Sequence, residues 1–535
     1  MKYAVKKREN PVKIAVYAVA LVTTLVYIGY RFAFTLPFEL GALDIIFGLI
    51  VIAAETIEAI EFIVYFWNTL CMSKKSPRVP KVKNEDLPEV DVFIATINED
   101  AKFLEKTLEA CSKMKYPDPK KVHIYLCDDG NRSSLAGLAR KYKIKHLTRT
   151  SHKGAKAGNY NHALGVTKSP YVAIFDADMQ PTEDFLMRTM PFFVKYDNIG
   201  FVQTPQSFNN PDIFQARLNK NIPFEQDYFY HHIQLARNNV NSVILCGTNC
   251  VISRKALKNA GNFAEDSIAE DVATGMLIES IGYQGIAINE VLAHGEAIDD
   301  AAAFLRQRSR WGRGCIQTIK RYGVFRNRGL NFRQKLDYFV SINYWQFSVK
   351  RMLYLILPLL FSYFGIIAIK GDLQVFVPIF FTQYLIKRFV IDLLENRHKS
   401  STWSKIYELI QAPLLIGPII KETLGFGSTK FEVTPKGKKS EKTKVDYKMF
   451  FYHLVLLLLS IFGIVLAVYK SRFTGLQLYI IPLLWLSFNT LYLFVTFIFD
   501  LRKTRVYKEF VPNKAQKYEF KSYLGIFSKG EKWRI

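Results

Sequence analysis

Apolar positions fall into two kinds of run. Long uncharged stretches gather toward both ends of the chain, and short apolar runs alternate with helical patterns in the middle. Residues 14–30 carry no charge, follow Lys6, Lys7 and Arg8, and continue apolar past Arg31. This run is long for a signal-peptide core and no small-residue cleavage site follows, so it predicts a retained helix. Residues 41–70 predict a second span, interrupted by Asp44, Glu55, Glu58 and Glu61. The three glutamates recur every third residue, on one side of a helix, and are expected to face protein or the cytosolic interface rather than lipid. Residues 352–369 are uncharged, and residues 373–386 are uncharged up to Lys387 and Arg388, which can snorkel. Residues 449–469 and 476–499 are the strongest candidates, each able to cross a hydrocarbon core of roughly 30 Å. Six spans place both termini on one side. The basic N-terminus, the Lys-rich stretch 395–448 and the basic tail after Arg502 make that side the cytoplasm. Residues 403–424 are punctuated by Trp403, Lys405, Glu408, Lys421 and Glu422 and hold Pro413 and Pro418, so they read as an interfacial helix.

The middle of the chain has a different rhythm. VDVFIATI (90–97), VHIYLCDD (122–129) and YVAIFDAD (171–178) are strand-like, with helical patterns at 100–114, 133–142 and 154–166. This βαβ order predicts a largely parallel sheet covered on both faces. Ligands bind such sheets beyond the carboxyl ends of the strands. Two of the predicted strands end in carboxylates, Asp128 with Asp129 and Asp176 with Asp178.

Composition narrows the partners. The chain has 535 residues, is 50% hydrophobic and 14% aromatic, and is therefore not a disordered chain. Its formal charge of +25 suits nucleic acid, an anionic membrane face or a phosphorylated substrate. The span pattern assigns much of that charge to cytosolic flanks. A mean hydropathy of +0.05 then averages apolar spans with a polar block. The six cysteines lack CxxC spacing and read as reduced cytosolic thiols.

Four clusters carry candidate chemistry, each with a plainer reading beside it. In Asp176-Ala177-Asp178 alternate carboxylates point the same way, toward one Mg²⁺ or Mn²⁺, or else form a solvated turn. Asp128-Asp129-Gly130 can accept hydrogen bonds from a nucleoside or simply make an Asp-Gly turn. Lys153 and Lys156 can reach phosphate or lie on a surface helix. Glu270-Asp271 opens a helical pattern, whose dipole is expected to lower the carboxylate pKa and keep a general base ionised. Gln307, Arg310 and Trp311 share one helix face and combine an amide, a fixed cation and a flat ring, as sugar recognition beside a diphosphate requires. The plainer reading is a basic amphipathic helix on the membrane. The lone His294 reads as structural.

DDG (128–130), DAD (176–178), ED (270–271) and QxxRW (307–311), in that order inside one α/β block between membrane helices, resemble the processive family 2 glycosyltransferases. That group includes cellulose, mixed-linkage glucan and hyaluronan synthases. The resemblance covers roughly residues 90–500. The cellulose synthase branch is favoured by Phe431, Val433, Thr434 and Lys436, which match its F-x-V-T-x-K gating loop. Cys246-Gly247-Thr248 matches its acceptor-side segment. Its T-E-D motif departs here to Ala269-Glu270-Asp271.

The resemblance implies a GT-A fold and an inverting single displacement. It implies catalysis by Asp271 with Glu270, and UDP binding by Thr96, Glu99, Asp128, Asp129, Lys156, Gln307 and Arg310. Asp176 and Asp178 would hold Mg²⁺ or Mn²⁺, and Trp311, Cys246, Gly247 and Thr248 would meet the acceptor. The layout expected is spans one and two at 1–75, the cytosolic GT-A domain at 76–325, and an interfacial segment with spans three and four at 326–400. The interfacial helix and gating loop follow at 401–448, spans five and six at 449–500, and a basic tail at 501–535 lying on the anionic inner leaflet. That is fewer spans than bacterial cellulose synthases carry. About 35 residues after the last span leave no room for a PilZ domain, so cyclic di-GMP control through this chain is not expected.

The function expected is a plasma-membrane β-glucan synthase using UDP-glucose, with catalytic domain and termini cytosolic. Its partners are the nascent polysaccharide and the bilayer, and not nucleic acid. Mixed β-1,3/1,4 linkage is narrowly preferred to β-1,4. The alternatives are another capsular polysaccharide, a non-processive glycolipid synthase, and a transporter or nucleic-acid-binding membrane protein that would not depend on Asp271 or Trp311.

Overall fold

A computed structural model describes residues 11–70, 76–218, 222–394, 401–427 and 447–502. Its centre is a seven-stranded sheet. The strands are β1 (Val90–Thr96), β2 (Val122–Asp128), β3 (Lys145–Thr148), β4 (Tyr171–Asp176), β6 (Ile199–Gln203), β8 (Cys250–Ser253) and β9 (Gln284–Ala287), in the order β3-β2-β1-β4-β8-β6-β9. The first four run parallel, β8 is antiparallel to both its neighbours, and β9 is parallel to β6. The short strands β5 (Gln180–Pro181), β7 (Ser207–Phe208) and β10 (Ala293–Gly295) form a second sheet.

The predicted βαβ rhythm is present, with boundaries trimmed by one or two residues. Helices α3 (Ala101–Ser112), α4 (Ser134–Lys141) and α5 (Ala155–Val166) connect the parallel strands. One face of the sheet buries Val92, Ile94 and Leu126 against Leu104 and Leu108 of α3. The other buries Phe93, Cys127 and Ile174 against Tyr160 and Ala163 of α5. Coverage on both faces explains why the strands read as continuous apolar runs rather than alternating ones. Asp91 is the exception inside β1, and Arg254 neutralises it at 2.6 Å in the interior.

Short helices α6 (Phe185–Thr189), α7 (Pro191–Lys195), α8 (Ile213–Arg217), α9 (Gln234–Arg237) and α10 (Arg254–Asn259) fill the second half of the domain. They are followed by α11 (Glu270–Ser280), α12 (Ala301–Tyr322) and α13 (Phe332–Asn343). Asp300 caps α12 by accepting from the Ala303 amide, and Gly323, at φ +55°, ends it. The five described cysteines are unpaired; Cys71 lies outside the described residues.

The remaining helices are α1 (Pro11–Phe34), α2 (Ala42–Leu70), α14 (Phe347–Phe364), α15 (Leu373–Leu394), α16 (Ser401–Leu424), α17 (Tyr447–Thr474) and α18 (Ile480–Leu501). Among the described residues, four helical stretches are long and apolar enough to cross a membrane: Ile14–Phe34, Phe332–Phe364, Met449–Thr474 and Leu476–Leu501. Helices α2 and α15 occupy the two other expected positions but carry charge, and several of those charges are answered by protein. Glu55 pairs with Arg31 at 2.7 Å, Glu61 with Lys350 at 2.8 Å, and Lys387 lies over the Phe62 ring. The expected span 352–369 is shifted, because Gly365 takes φ +74° and stops α14 at Phe364. Helix α16 is continuous through Pro413 and Pro418. One side of it packs on protein, burying Ile406, Ile410, Ala412, Leu415 and Ile419, while Ile420 and Leu424 stay exposed.

Candidate active site

Strands β1, β2 and β4 lie side by side and parallel, placing Thr96 beside Asp128 and Ala95 beside Asp176. Their carboxyl ends therefore gather the strand-end carboxylates at one edge, as an open parallel sheet does. The Asp128-Asp129-Gly130 turn there is heavily braced. Asp128 is fully buried and accepts from the Gly130 amide at 3.0 Å and the Arg132 amide at 2.7 Å. The Arg132 guanidinium meets Asp128 Oδ1 at 3.1 Å and Thr96 Oγ1 at 2.7 Å. Thr96 donates to Glu99 Oε2 at 2.7 Å, and Arg149 grips Asp129 with two contacts of 2.5 and 2.8 Å. Gly130 has no room for a side chain: a Cβ would stand 2.1 Å from the Ile97 carbonyl. Thr96, Glu99, Asp128 and Asp129 are thus brought together. Arg132 and Arg149, which belong to no motif, hold them.

Lys156, in the first turn of α5, links two parts of the site. Its Nζ donates to Asp176 Oδ1 at 2.6 Å and to the Gly247 carbonyl at 2.8 Å. Burial alone would depress this ammonium, but the carboxylates of Asp176, Glu270 and Asp271 outweigh it and hold the pKa above its ordinary value. The Asp176 amide donates to Thr248 Oγ1 at 2.9 Å, tying β4 to the Cys246-Gly247-Thr248 segment. Asp178 is buried two residues on, beneath β10, where Gly295 packs against the Asp178 carbonyl. His294 pairs with Gln180, and its buried Nδ1 has no hydrogen-bond partner. Among the described residues no three His, Cys, Asp or Glu side chains converge on one point. Strand β4 ends at Asp176, so Asp178 lies in the turn beyond it rather than two residues along an extended strand, and the two remain oxygen donors of the type a hard divalent cation takes.

The segment 243–249 has few ladder partners, and side chains satisfy its backbone instead. Glu279 accepts from the Val243 amide at 2.9 Å. Gln234 donates to the Ile244 carbonyl at 2.7 Å and accepts from the Ile244 amide at 3.0 Å. Gln203 accepts from the Cys246 amide and donates to the Thr248 carbonyl, both at 2.9 Å. Tyr230, in a π-helical turn (Phe229–Ile233), reaches the Cys246 thiol, and burial keeps that thiol protonated. None of these residues has a sequence signal. They act across 10 to 45 residues of chain.

Asp271 lies directly against this segment. A Cβ on Gly247 would come within 2.8 Å of Asp271 Oδ2, and Gly247 sits at φ +67°, so both space and backbone require glycine. Asp271 Oδ1 accepts from the Val272 amide at 2.8 Å in the first turn of α11. The helix start was expected to lower this carboxylate's pKa. Instead desolvation raises both Asp271 and Glu270, and Glu270 is raised further by its neighbour's charge, while Lys156 and Arg310 oppose the rise. Burial outweighs the dipole because the pair is enclosed by Lys156, the Gly247 segment and α12.

Helix α12 contributes the last group. Arg310 acts on the acid pair through its charge, while Gln307 Oε1 accepts from Arg308 at 2.8 Å. The Trp311 ring stands edge-on to Trp345 at 6.5 Å. A cavity of about 320 Å³ opens beside Lys156 and Glu270 and is walled by residues 154–157, 265–268 and Arg321. Phe431, Val433, Thr434 and Lys436 lie outside the described residues.

A base whose pKa is raised toward neutrality is ionised only above it. Activity that depends on Asp271 is therefore expected to climb from acid toward neutral pH, at higher pH than an ordinary aspartate allows, and then level. A rate profile of UDP release over that range checks it. A flat profile would place the essential proton elsewhere.

Residues 91–261 match the family model "Glycosyl transferase family 2". The chain is 29% identical over 462 residues to a cellulose synthase catalytic subunit [UDP-forming] of Pseudomonas fluorescens, covering 85% of this chain and 62% of that one. It is 30% identical over 476 residues to the corresponding subunit of Xanthomonas axonopodis pv. citri, covering 88% and 65%. The chain thus spans somewhat less than two thirds of these relatives. In three dimensions it is similar to a mannosyltransferase of Pyrobaculum calidifontis, solved with GDP-Man and Mn²⁺, at 17% identity. That match has a TM-score of 0.50 and covers 77% of this chain and 99% of the other, a likeness of fold. With a GT-A sheet between apolar helices, the chain carries a domain that matches the family 2 glycosyltransferase model and is similar over most of its length to cellulose synthase catalytic subunits.

Proposed function

We propose that the protein is a processive inverting glycosyltransferase that polymerises glucose from UDP-glucose into a β-glucan and passes the polymer across the plasma membrane. The observation that carries this reading is the position of Asp271. Its carboxylate faces the acceptor-side Gly247, while Lys156 joins that same glycine to Asp176 at the nucleotide side. A base and a leaving-group cation thus share one peptide between them.

The chemistry follows from this placement. Asp271 takes the proton of an acceptor hydroxyl, and the oxygen attacks the donor's anomeric carbon. The bond from that carbon to the diphosphate breaks, and UDP leaves with the electron pair. Attack opposite the leaving group inverts the anomeric centre. Lys156 and Arg310 offset the charge that develops on the diphosphate. Asp176 and Asp178 would hold Mg²⁺ or Mn²⁺, which when bound neutralises diphosphate charge. Trp311 offers a flat ring for the terminal sugar. Among the apolar helices, Arg351 of α14 pairs with Glu408 of α16 at 2.6 Å and Tyr354 lies beside Trp485, polar and aromatic groups of the kind a hydrated sugar chain packs against.

The relatives' names favour β-1,4 linkage. The test is a panel of UDP-sugars given to the purified protein in lipid nanodiscs, with UDP release and product size measured. UDP release from UDP-glucose, with a high-molecular-weight product cut by endo-cellulase, is expected. A product cut by lichenase assigns mixed linkage instead. A product that is small and extractable into organic solvent overturns processive synthesis.

A further inference from the structure

Between Gln307 and Arg310, helix α12 carries Arg308, to which none of the motifs gives a role. It is 3% exposed, inside the wall of the site. Its guanidinium carbon stands 4.5 Å from the Phe304 ring centre and 4.3 Å from that of Trp311. These residues are four before it and three after it, so all three share one helix face. Trp345 stands edge-on to Trp311, at 75°. The edge of the same guanidinium is also engaged. It donates to Glu225 Oε2 at 2.6 Å and to Gln307 Oε1 at 2.8 Å, and Gln226 accepts from it in the amide orientation that its surroundings require. Glu225 lies beside Pro223, whose carbonyl accepts from Tyr407 of α16 at 2.7 Å.

Only a guanidinium can make both kinds of contact at once. Its faces pack on two aromatic rings while its in-plane N–H groups reach a carboxylate and an amide. A lysine in the same place keeps the charge and loses the plane. Burying an ion pair here is costly and is poor evidence of a contribution to stability. What the pair does fix is the orientation of a neighbour, the Trp311 ring.

We propose that Arg308 is a positioning residue for the acceptor: clamped by Glu225, it sets the ring plane of Trp311, and so governs how the end of the growing chain is held between additions. This rests on the reading of Trp311 as the sugar platform. It assigns the clamp to chain retention rather than to donor binding.

The test compares wild-type protein with Arg308→Lys and Phe304→Leu in nanodiscs. UDP affinity, KM for UDP-glucose, kcat for UDP release and product length are read together. Arg308→Lys is expected to leave UDP affinity and KM within about twofold, while kcat falls about tenfold and the product shortens, because a small misplacement of a reacting group is enough to slow the step. Phe304→Leu leaves the Glu225 ion pair intact and removes one face of the stack. It is expected to shorten the product in the same direction, and it carries the test if Arg308→Lys does not fold. Wild-type kcat and product length in the folded variants overturn the proposal, as does a loss matched by equal loss of UDP affinity. A wild-type protein that makes no polymer overturns the reading of the site as a whole, whereas variants that make polymer of wild-type length at the wild-type rate overturn the clamp alone.

Discussion

Asp271→Asn is expected to leave the fold and UDP binding in place and to lower polymer synthesis by about 10²- to 10⁴-fold, the usual worth of a general base. Asparagine is isosteric with aspartate, so its carbonyl oxygen can keep the Val272 amide bond of 2.8 Å and the contact with Gly247. What it cannot do is take a proton. The substitution also separates the two acids. Glu270 is raised chiefly by burial and secondly by the charge of Asp271, so removing that charge lowers the Glu270 pKa. If Glu270 were the base, Asp271→Asn would stay active with its pH profile moved to lower pH. Steady-state UDP release, with calorimetric UDP binding on the same sample, distinguishes the two. Substantial synthesis by the variant would remove Asp271 from the catalytic role.

Lys156→Met is expected to cost about 10²- to 10³-fold in kcat, the scale on which a preorganised electrostatic contact acts. Three losses coincide. Asp176 loses its partner at 2.6 Å, the Gly247 carbonyl loses its donor at 2.8 Å, and the departing diphosphate loses a cation. The sign of the accompanying pH effect follows from the acid pair. Lys156 lowers the pKa of both Glu270 and Asp271, so its removal raises them further. The residual activity should therefore rise at higher pH than in the wild type. Lys156→Arg keeps the charge but replaces a compact donor with a planar fork, and only partial recovery is expected. Residual activity with an unshifted profile would show that Lys156 does not set the protonation of the pair.

Much of the architecture was legible in the chain. The strands ending at Asp128 and Asp176 were visible because a covered parallel strand is a continuous apolar run, and the acids mark where it leaves the sheet. Four long apolar helical stretches were visible because bilayer thickness sets a length. The exact ends were not: α14 stops at Phe364 because Gly365 can take positive φ, a matter of one residue inside a longer apolar run. The glutamates of α2 were expected to face protein, and Glu55 and Glu61 do so through Arg31 and Lys350. Their partners lie 24 and 289 residues away in the chain.

The site divides in the same way. The chemical groups Asp176, Asp178, Glu270, Asp271, Gln307, Arg310 and Trp311 were identifiable as types at spacings. Their supports, Arg132, Arg149, Gln203, Gln234, Tyr230 and Arg308, were not, because an arginine or glutamine that braces a distant turn carries no local pattern. The direction of the Asp271 shift was misjudged from sequence for a related reason. A helix start is a local feature and favours the ionised acid, whereas desolvation depends on everything packed around it and here is the larger effect.

The sequence by itself therefore determined the class of sheet, the apolar helices around it and the chemical groups at the strand ends, because periodicity and strand-end chemistry are written in neighbouring residues. Only the tertiary structure decided that Asp271 faces Gly247, that Lys156 joins Gly247 to Asp176, that burial raises the acid pair and that Arg308 is sandwiched against Trp311. Each of these depends on contacts between separate elements or on exclusion of water, and both arise only when the chain has packed.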